Sequence, residues 1–478
     1  MSHPYKSPPM DHQSRALKRA WKKTEFALFW EMGTGKTYTT INLAAARHIK
    51  GQINALIVIC PSPIKLVWEA ELEDWCPVEY ETHVLVASKK SKEDLVYFTS
   101  RQTSALKVLV VGVEALSQGN AQSLTLNFAK LNECMIVCDE SSRLKNGNSN
   151  RTKNAIKIAH ECKYRLILTG TPISQGIEDL YGQMSFLHPK IIGVRSFFQF
   201  RNKYCVMGGF ENRKVIGYQN SDELMQKVSG YVDVVKKEDV LDLPPKVYER
   251  IIVEPTPEQN RIIESLKDTF EAEHGGEYII TETILERLTR FQQVIGGNFP
   301  FSLEDGGYDT KPLEGKNPKA DALIEILEDI PTWQSVIIWA RFRPEAQLIS
   351  QLISDKFGPD TVVTFTGADD EEQRKTSVRR FQEQSARFMV SNPQLGGMGQ
   401  TWTAATLVIY YSNSFSYEDR KQSEDRAHRK GQTKSVTYVD IEANHRYDKM
   451  ILAAIRSKGD VAQYVDERIA ANQIGIDV

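Results

Sequence analysis

No stretch of this sequence stays apolar for the roughly 18 residues that a membrane-spanning helix needs. ALIVIC (55–60) and TLVIYY (406–411) have only the length of strands. The N-terminal MSHPYKSPPMDHQ lacks the apolar core of a secretory signal. The six cysteines, at 60, 76, 134, 138, 162 and 205, form no CxxC pair. Most lie in or beside apolar runs, so they read as buried reduced thiols and not as disulfides or a zinc site. Low-complexity tracts and short solenoid repeats are absent as well. Neither sign of charge is in excess: 60 Lys and Arg stand against 62 Asp and Glu, a formal net charge of -2. That excludes a wholesale polycation, and any nucleic-acid contact must concentrate its positive charge locally. The expectation is a soluble protein with no membrane contact, cytoplasmic in a bacterial or virus-infected cell and nuclear in a eukaryote.

What is present is ample core material. The 478 residues, 41% hydrophobic and 26% charged, correspond to about three domains at roughly 150 residues each. Short β-branched runs alternate with helical patterns in two regions. FALFW (26–30), ALIVIC (55–60), VLVVGV (108–113), MIVCD (135–139) and RLILTG (165–170) form the first set; VIIWA (336–340), TVVTFTG (361–367), RFMVSN (387–392), TLVIYY (406–411) and SVTYVDI (435–441) form the second. Strands alternating with helices predict α/β lobes with parallel sheets covered on both faces. Residues 1–190 are expected to form the N-terminal lobe and 316–478 the C-terminal lobe. The block 191–315, with SFFQFRNKYC and ETILERLTRFQQVIGG, breaks the rhythm and reads as a mostly helical insertion and linker. Basic clusters at Lys6–Lys23 and Arg420–Lys430 read equally as solvated faces or as binding surfaces.

The strongest chemical signal is EMGTGKT (31–37), between a strand and a helix, the setting of a phosphate-binding loop. Gly33, Thr34 and Gly35 close backbone N–H groups around phosphate oxygens at a helix N-terminus. Lys36 reaches the β- and γ-phosphates, and the Thr37 hydroxyl ligates magnesium. The first motif position is Trp30 where a glycine is usual. MIVCDESS (135–142) is an apolar strand ending in two acids: Asp139 for the magnesium shell, Glu140 to deprotonate the attacking water. Ligand sites in open parallel sheets lie at such strand ends. LTGTPIS (168–174) ends another strand in Thr169 and Thr171, suited to couple the nucleotide site to the other lobe.

In this order the motifs resemble a helicase superfamily two motor of the Swi/Snf-like branch. EMGTGKT, ICPSPIKLVWEAEL (59–72), DESSRLKN (139–146), KKEDVLDLPPK (236–246) and GGMGQTWTAATLVIYYSNSFSYEDRKQSEDRAHRKGQ (396–432) carry the likeness across roughly residues 8–460. The resemblance implies two tandem RecA-like parallel-sheet lobes, ATP and magnesium as cofactors, and ATP hydrolysis coupled to movement on DNA. It implies that Gln13 reads the adenine base, that Gly399 belongs to the nucleotide site, and that Arg426 and Arg429 act as arginine fingers. On a helix or tight turn their spacing of three puts both guanidiniums on one side. By motif position, Ser62, Lys65, Arg341, Thr401 and Trp402 contact DNA, mostly its phosphates; Trp402 reads equally as a core tryptophan. The function implied is that of a monomeric DNA translocase or fork- and branch-remodelling helicase in repair or replication. An RNA-directed helicase and a polymerase-displacing ATPase share its ATPase residues and stand as alternatives. The length leaves no room for accessory modules, so the expectation is a bare, phage- or bacterial-like motor.

Overall fold

The computed structural model describes residues 4–117, 119–170, 172–173, 176–208, 214–281, 283–303, 307–396, 401–414 and 416–456. The chain divides into two compact units, Met1–Asp242 and Leu243–Val478.

In the first unit β1 (Glu25–Trp30), β2 (Ala55–Cys60), β3 (Tyr80–Leu85), β4 (Leu106–Gly112), β5 (Cys134–Asp139) and β6 (Tyr164–Thr169) join β9 (Val232–Val235) in one sheet. The order is β3-β4-β2-β5-β6-β1-β9, with every pairing parallel. β2, β4 and β5 are buried along their whole length, as continuous apolar runs covered on both faces must be. Between β6 and β9 an antiparallel hairpin, β7 (Cys205–Gly208) and β8 (Lys214–Tyr218), follows helix Phe197–Tyr204. That helix buries Phe200 and Tyr204 in the core of this unit.

The second unit is built on β10 (Lys246–Val253) and a later strand series. Between them lie two antiparallel pairs, β11 (Glu271–His274) with β12 (Glu277–Ile280), and β13 (Asn298–Ser302) with β14 (Tyr308–Pro312). The series is β15 (Ser335–Trp339), β16 (Val362–Phe365), β17 (Phe388–Ser391), β18 (Ala405–Tyr410) and β19 (Val436–Ala443). The sheet runs β10-β19-β18-β15-β17-β16, again all parallel. The antiparallel pairs share a separate small core with helices Pro257–Thr269, Ile284–Ile295 and Arg446–Arg456.

Two parallel-sheet lobes are thus what the alternating pattern predicts, with different boundaries. The block 191–315 is not a separate body. Its first part, through β9, completes the first sheet, and β10 begins the second. Three strand pairs stand in it beside the helices. All six cysteines are buried and unpaired. Among the described residues no helix is long and apolar enough to cross a membrane.

Candidate nucleotide site

The sheet of the first unit delivers its functional side chains at the carboxyl ends of β1, β5 and β6. After β1 the chain turns through Gly33 (φ 81°) and Gly35 (φ 86°), the left-handed N-cap of helix Lys36–Ile49. That conformation is inexpensive for glycine and aims successive N–H groups into one hollow. Trp30 explains itself here. Its ring is fully buried, its Nε1 donates to Asp233 Oδ1 at 2.9 Å, and His12 meets it edge-on at 5.0 Å. The side chain leaves the loop for the core, and the positive φ values fall on the two glycines, so a glycine at position 30 is unnecessary.

Lys36 is 9% exposed, with Nζ donating to the carbonyls of Trp30 (2.9 Å) and Glu31 (3.4 Å). Thr34 Oγ1 donates to the Glu31 carbonyl at 2.8 Å, which staples the loop shut. Thr37 follows on the first helical turn, half-buried. Gln13 packs directly on the loop: Nε2 donates to the Thr34 carbonyl at 3.3 Å, while Oε1 accepts the Met10 N–H at 2.9 Å. His12 Nε2 also contacts the Thr34 carbonyl, at 2.8 Å, and sequence reasoning passed over it. Helix Asp11–Trp21 is held in place by Arg15, whose Nη2 bonds Asp233 Oδ1 at 3.0 Å, and by Arg19, bonded to the other oxygen. These bonds and the ring of Trp30 hold Asp233 below the usual carboxylate range, although burial alone pushes it up.

Asp139 ends β5 as a buried carboxylate. Trp68 Nε1 donates to Oδ2 at 3.0 Å and the Glu140 N–H donates to Oδ1 at 3.0 Å. Burial raises its pKa; the nearby Lys36 charge, followed by those two hydrogen bonds, pulls it back. Glu140 sits at φ 49°, a conformation that costs a non-glycine residue on the order of 1–2 kcal/mol and concentrates at functional sites. Ser141 Oγ donates to Gln183 Oε1 at 2.8 Å, and Gln183 Nε2 donates to the Pro172 carbonyl at 2.7 Å. DESS is therefore wired through Gln183 to the segment after β6, the strand that ends in the buried Thr169. Thr171 lies outside the described residues. A Cβ on Gly170 would come 3.3 Å from the Trp30 carbonyl, so this segment also runs against the phosphate loop.

The proposed DNA residues of this unit sit near strand ends but are already engaged. Ser62 Oγ and N–H both donate to Glu114 Oε2, at 2.8 and 3.0 Å. Lys65 Nζ donates to the Leu85 carbonyl at 3.1 Å.

In the second unit the structure corrects one expectation and narrows another. Trp402 is a core tryptophan: it is fully buried, stacked on Trp339 at 5.3 Å and edge-on to Phe365 at 5.4 Å, so its ring is not a DNA contact. The helix Tyr417–Ala427 ends between Arg426 and Arg429 with His428 as C-cap, so of the two settings, helix or tight turn, the helix does not carry both arginines. Arg426 is fully buried, whereas Arg429 is partly exposed beyond the helix. Arg341 is half-buried, its Nη1 donating to Gln292 Oε1 at 2.5 Å; burial brings its pKa down to about 10, against the pull of Glu345 and Asp419. Thr401 is half-buried. Gly399 lies outside the described residues.

Comparison with known proteins agrees with the motif order. The model of the SNF2-related domain matches residues 12–296, and that of the helicase conserved C-terminal domain matches 318–431. The chain is 25% identical over 445 residues to the DNA annealing helicase and endonuclease ZRANB3 of Bos taurus, covering 90% of this chain and 38% of that one. It is 26% identical over 470 residues to an ATP-dependent helicase of Mycoplasma genitalium, covering 95% and 42%. It thus spans about two fifths of the length of these curated relatives. The SWI2/SNF2 ATPase core of Sulfolobus solfataricus, solved in complex with dsDNA, aligns over 99% of this chain and 95% of that one, at 20% identity and a TM-score of 0.43.

Proposed function

This chain belongs to the SNF2-related family, and from that membership we propose that it is an ATP-driven DNA motor. The observation that carries the reading is the approach of Lys36, on the helix that follows β1, to Asp139 at the end of β5, with β6 between the two strands in one parallel sheet and Glu140 beside Asp139 at a positive φ. In this reading the N–H groups of Gly33, Thr34 and Gly35 hold the phosphates, and Lys36 exchanges its carbonyl partners for β- and γ-oxygens. Gln13, whose amide bonds the Thr34 carbonyl of the loop, is assigned to read the base. Glu140 accepts a proton from water as the water oxygen bonds the γ-phosphorus; the bond to the bridging oxygen breaks, leaving ADP and phosphate. Arg426 and Arg429 are assigned the arginine-finger role, which is to neutralise charge on the transferring group.

The donor set suits magnesium. Thr37 and Asp139 are hard oxygen ligands, and a divalent cation offsets the burial that raises Asp139. When bound, the ion would screen the β- and γ-oxygens. Thr37 and Asp139 would hold the ion together with phosphate oxygens and water. DNA would run along Ser62 and Lys65 in one lobe and Arg341 and Thr401 in the other, read through phosphates and not bases.

The test is ATP turnover measured in parallel with no polymer, single-stranded DNA, duplex DNA, forked DNA and RNA. Turnover is expected to rise several-fold with DNA and to fall as salt increases, because phosphate contacts release counterions. Equal turnover in all five overturns the motor; stimulation by RNA alone replaces it with an RNA-directed enzyme.

A further inference from the structure

We propose that β10, the strand with which the chain enters the second unit, is a positioning strut for the arginine segment, and that Glu424 is its hub. This rests on the motor reading above, in which Arg429 serves ATP hydrolysis.

Three successive contacts, from residues two apart, make the strut. The Pro244 carbonyl meets His428 Nε2 at 2.7 Å. Lys246 Nζ donates to Glu424 Oε2 at 2.8 Å and lies 3.6 Å from Asp425 Oδ1. Tyr248 OH donates to the same Glu424 oxygen at 2.8 Å. Lys246 and Tyr248 are two apart on a strand, so their side chains share one face. The unit boundary falls between Asp242 and Leu243, so the grip begins two residues after the chain crosses it. All three contacts fall on Glu424–His428, the last turn of the helix. That turn contains Arg426 and leads straight to Arg429.

The far side of the hub is equally fixed. Arg420 Nε donates to Glu424 Oε1 at 2.8 Å, and its other nitrogens bond Asp440 and the Asn413 side chain. The Arg420 guanidinium lies 3.5 Å above the Tyr410 ring. Tyr438 OH donates to the Glu424 carbonyl at 2.9 Å and its ring stacks on Tyr248 at 5.3 Å. Burial raises the pKa of Glu424, but Lys246 and Arg420 outweigh it and hold the carboxyl below its ordinary range.

Stability alone does not call for such a hub. A buried ion network is often no better than apolar residues of the same volume, and what it adds is a single geometry. Tyr248 makes the point: the residue is 57% exposed, yet its hydroxyl is committed to the buried carboxylate. A displacement of the segment 242–248 therefore moves the turn that bears the arginines, through charge-assisted bonds on one side and a rigid helix on the other.

The experiment uses Tyr248→Phe and Lys246→Met, with Lys246→Arg as the conservative control, in the full chain. Tyr248→Phe keeps the ring stack and removes one hydroxyl, so it folds even where Lys246→Met does not. DNA-stimulated kcat is expected to fall about tenfold, the scale of a lost hydrogen bond to a charged group. In Tyr248→Phe the apparent ATP affinity and DNA affinity stay near parental; Lys246→Met, which strips a buried carboxylate of its cation, also loses Tm, and Lys246→Arg recovers most of the rate. In an Arg429→Ala background Tyr248→Phe should add no further loss, because both act through the same group. Parental stimulated kcat in Tyr248→Phe, or a loss that simply adds to that of Arg429→Ala, overturns the strut. A parent enzyme that DNA does not stimulate would instead overturn the motor reading, a separate result.

Discussion

Trp68 Nε1 donates to Asp139 Oδ2 at 3.0 Å, so a helix two strands away in sequence sets the orientation of the carboxylate that ends β5. Asp139 is buried and its charge is sustained by few partners, chiefly Lys36, this indole and the Glu140 N–H. Trp68 is itself 1% exposed, so Trp68→Phe keeps most of the apolar volume and removes the donor. Losing one such bond is worth about 1 kcal/mol or more, which corresponds to roughly a fivefold or greater rise in the magnesium concentration at half-maximal ATPase rate. A magnesium titration of parent and variant checks this. Superimposable curves would mean that the indole has no part in placing Asp139.

Gly35 is constrained twice over. Its φ of 86° is unfavourable for any other residue, and a Cβ there would fall 2.1 Å from Gln13 Nε2. Gly35→Ala should therefore force Gln13 off the Thr34 carbonyl as well as strain the loop, at a combined cost of at least about 1–2 kcal/mol. Gly51→Ala is the control: it shares the positive φ, at 63°, but nothing lies within 4 Å of its Cβ. Both variants should lose some Tm, and only Gly35→Ala should lose ATP binding, measured by nucleotide titration.

The shape of the loop after β1 was legible because it rests on backbone chemistry with a fixed sequence form: a strand, two glycines, a lysine and a helix. The buried strands were equally plain, since β2, β4 and β5 are continuous apolar runs. β3 and β10, by contrast, are edge strands with many exposed or half-buried residues, and their polar sequences YETHVL and KVYERIIV do not read as core. β9 is only four residues long and pairs with β1, some 200 residues earlier, a contact that no local pattern reports. Missing β9 and β10 is what misplaced the domain boundary. Trp402 was undecidable from its motif because only the stacked partner, Trp339 on another strand, makes it core. Trp68 and Gln183 carry weight through single hydrogen bonds across the fold, and no spacing rule announces them; the Trp-Glu pair in LVWEAEL was the one available hint.

Glu345 gives the second unit a pH-sensitive stability. It is fully buried, accepts hydrogen bonds from Ser412 Oγ and the Phe342 N–H, and burial pushes its pKa from 4.5 up to about 7, against Lys319 and Arg341. Between those two values the native state holds a proton that the unfolded chain has released. Stability is therefore lost as pH rises from about 4.5 to 7 and is flat above, by roughly 3 kcal/mol across the window for this group. Glu345→Gln keeps the neutral form at every pH. The difference in Tm, variant minus parent, should grow through that window and then level off. A constant difference from pH 4.5 to 8 would show that Glu345 is not protonated in the native state at low pH.

Arg426 and Arg429 are three residues apart, and the structure predicts that they fail differently. Arg426 is fully buried at the end of the helix, so Arg426→Ala leaves a large void in the packing. It should cost several kcal/mol of stability, on the order of 3 or more, together with activity. Arg429 is partly exposed beyond the His428 cap, so Arg429→Ala should leave Tm within a few degrees of the parent. Its loss should appear in turnover instead, because charge on the γ-phosphate goes unneutralised in the transition state; arginine fingers contribute about 10³–10⁵ in rate. ATP affinity, supplied largely by the phosphate loop of the first lobe, should fall far less than kcat. Glu140→Gln should match it in lost hydrolysis but by another route, removing the base that takes the water proton while nucleotide stays bound. The decisive comparison is turnover of Arg429→Ala with and without duplex DNA, beside nucleotide titration and a thermal melt of all three variants. If Arg429→Ala binds ATP and DNA, melts like the parent and is no longer stimulated by DNA, the second lobe contributes to the chemistry of the first. If DNA still accelerates it to near the parental rate, Arg429 is not an arginine finger.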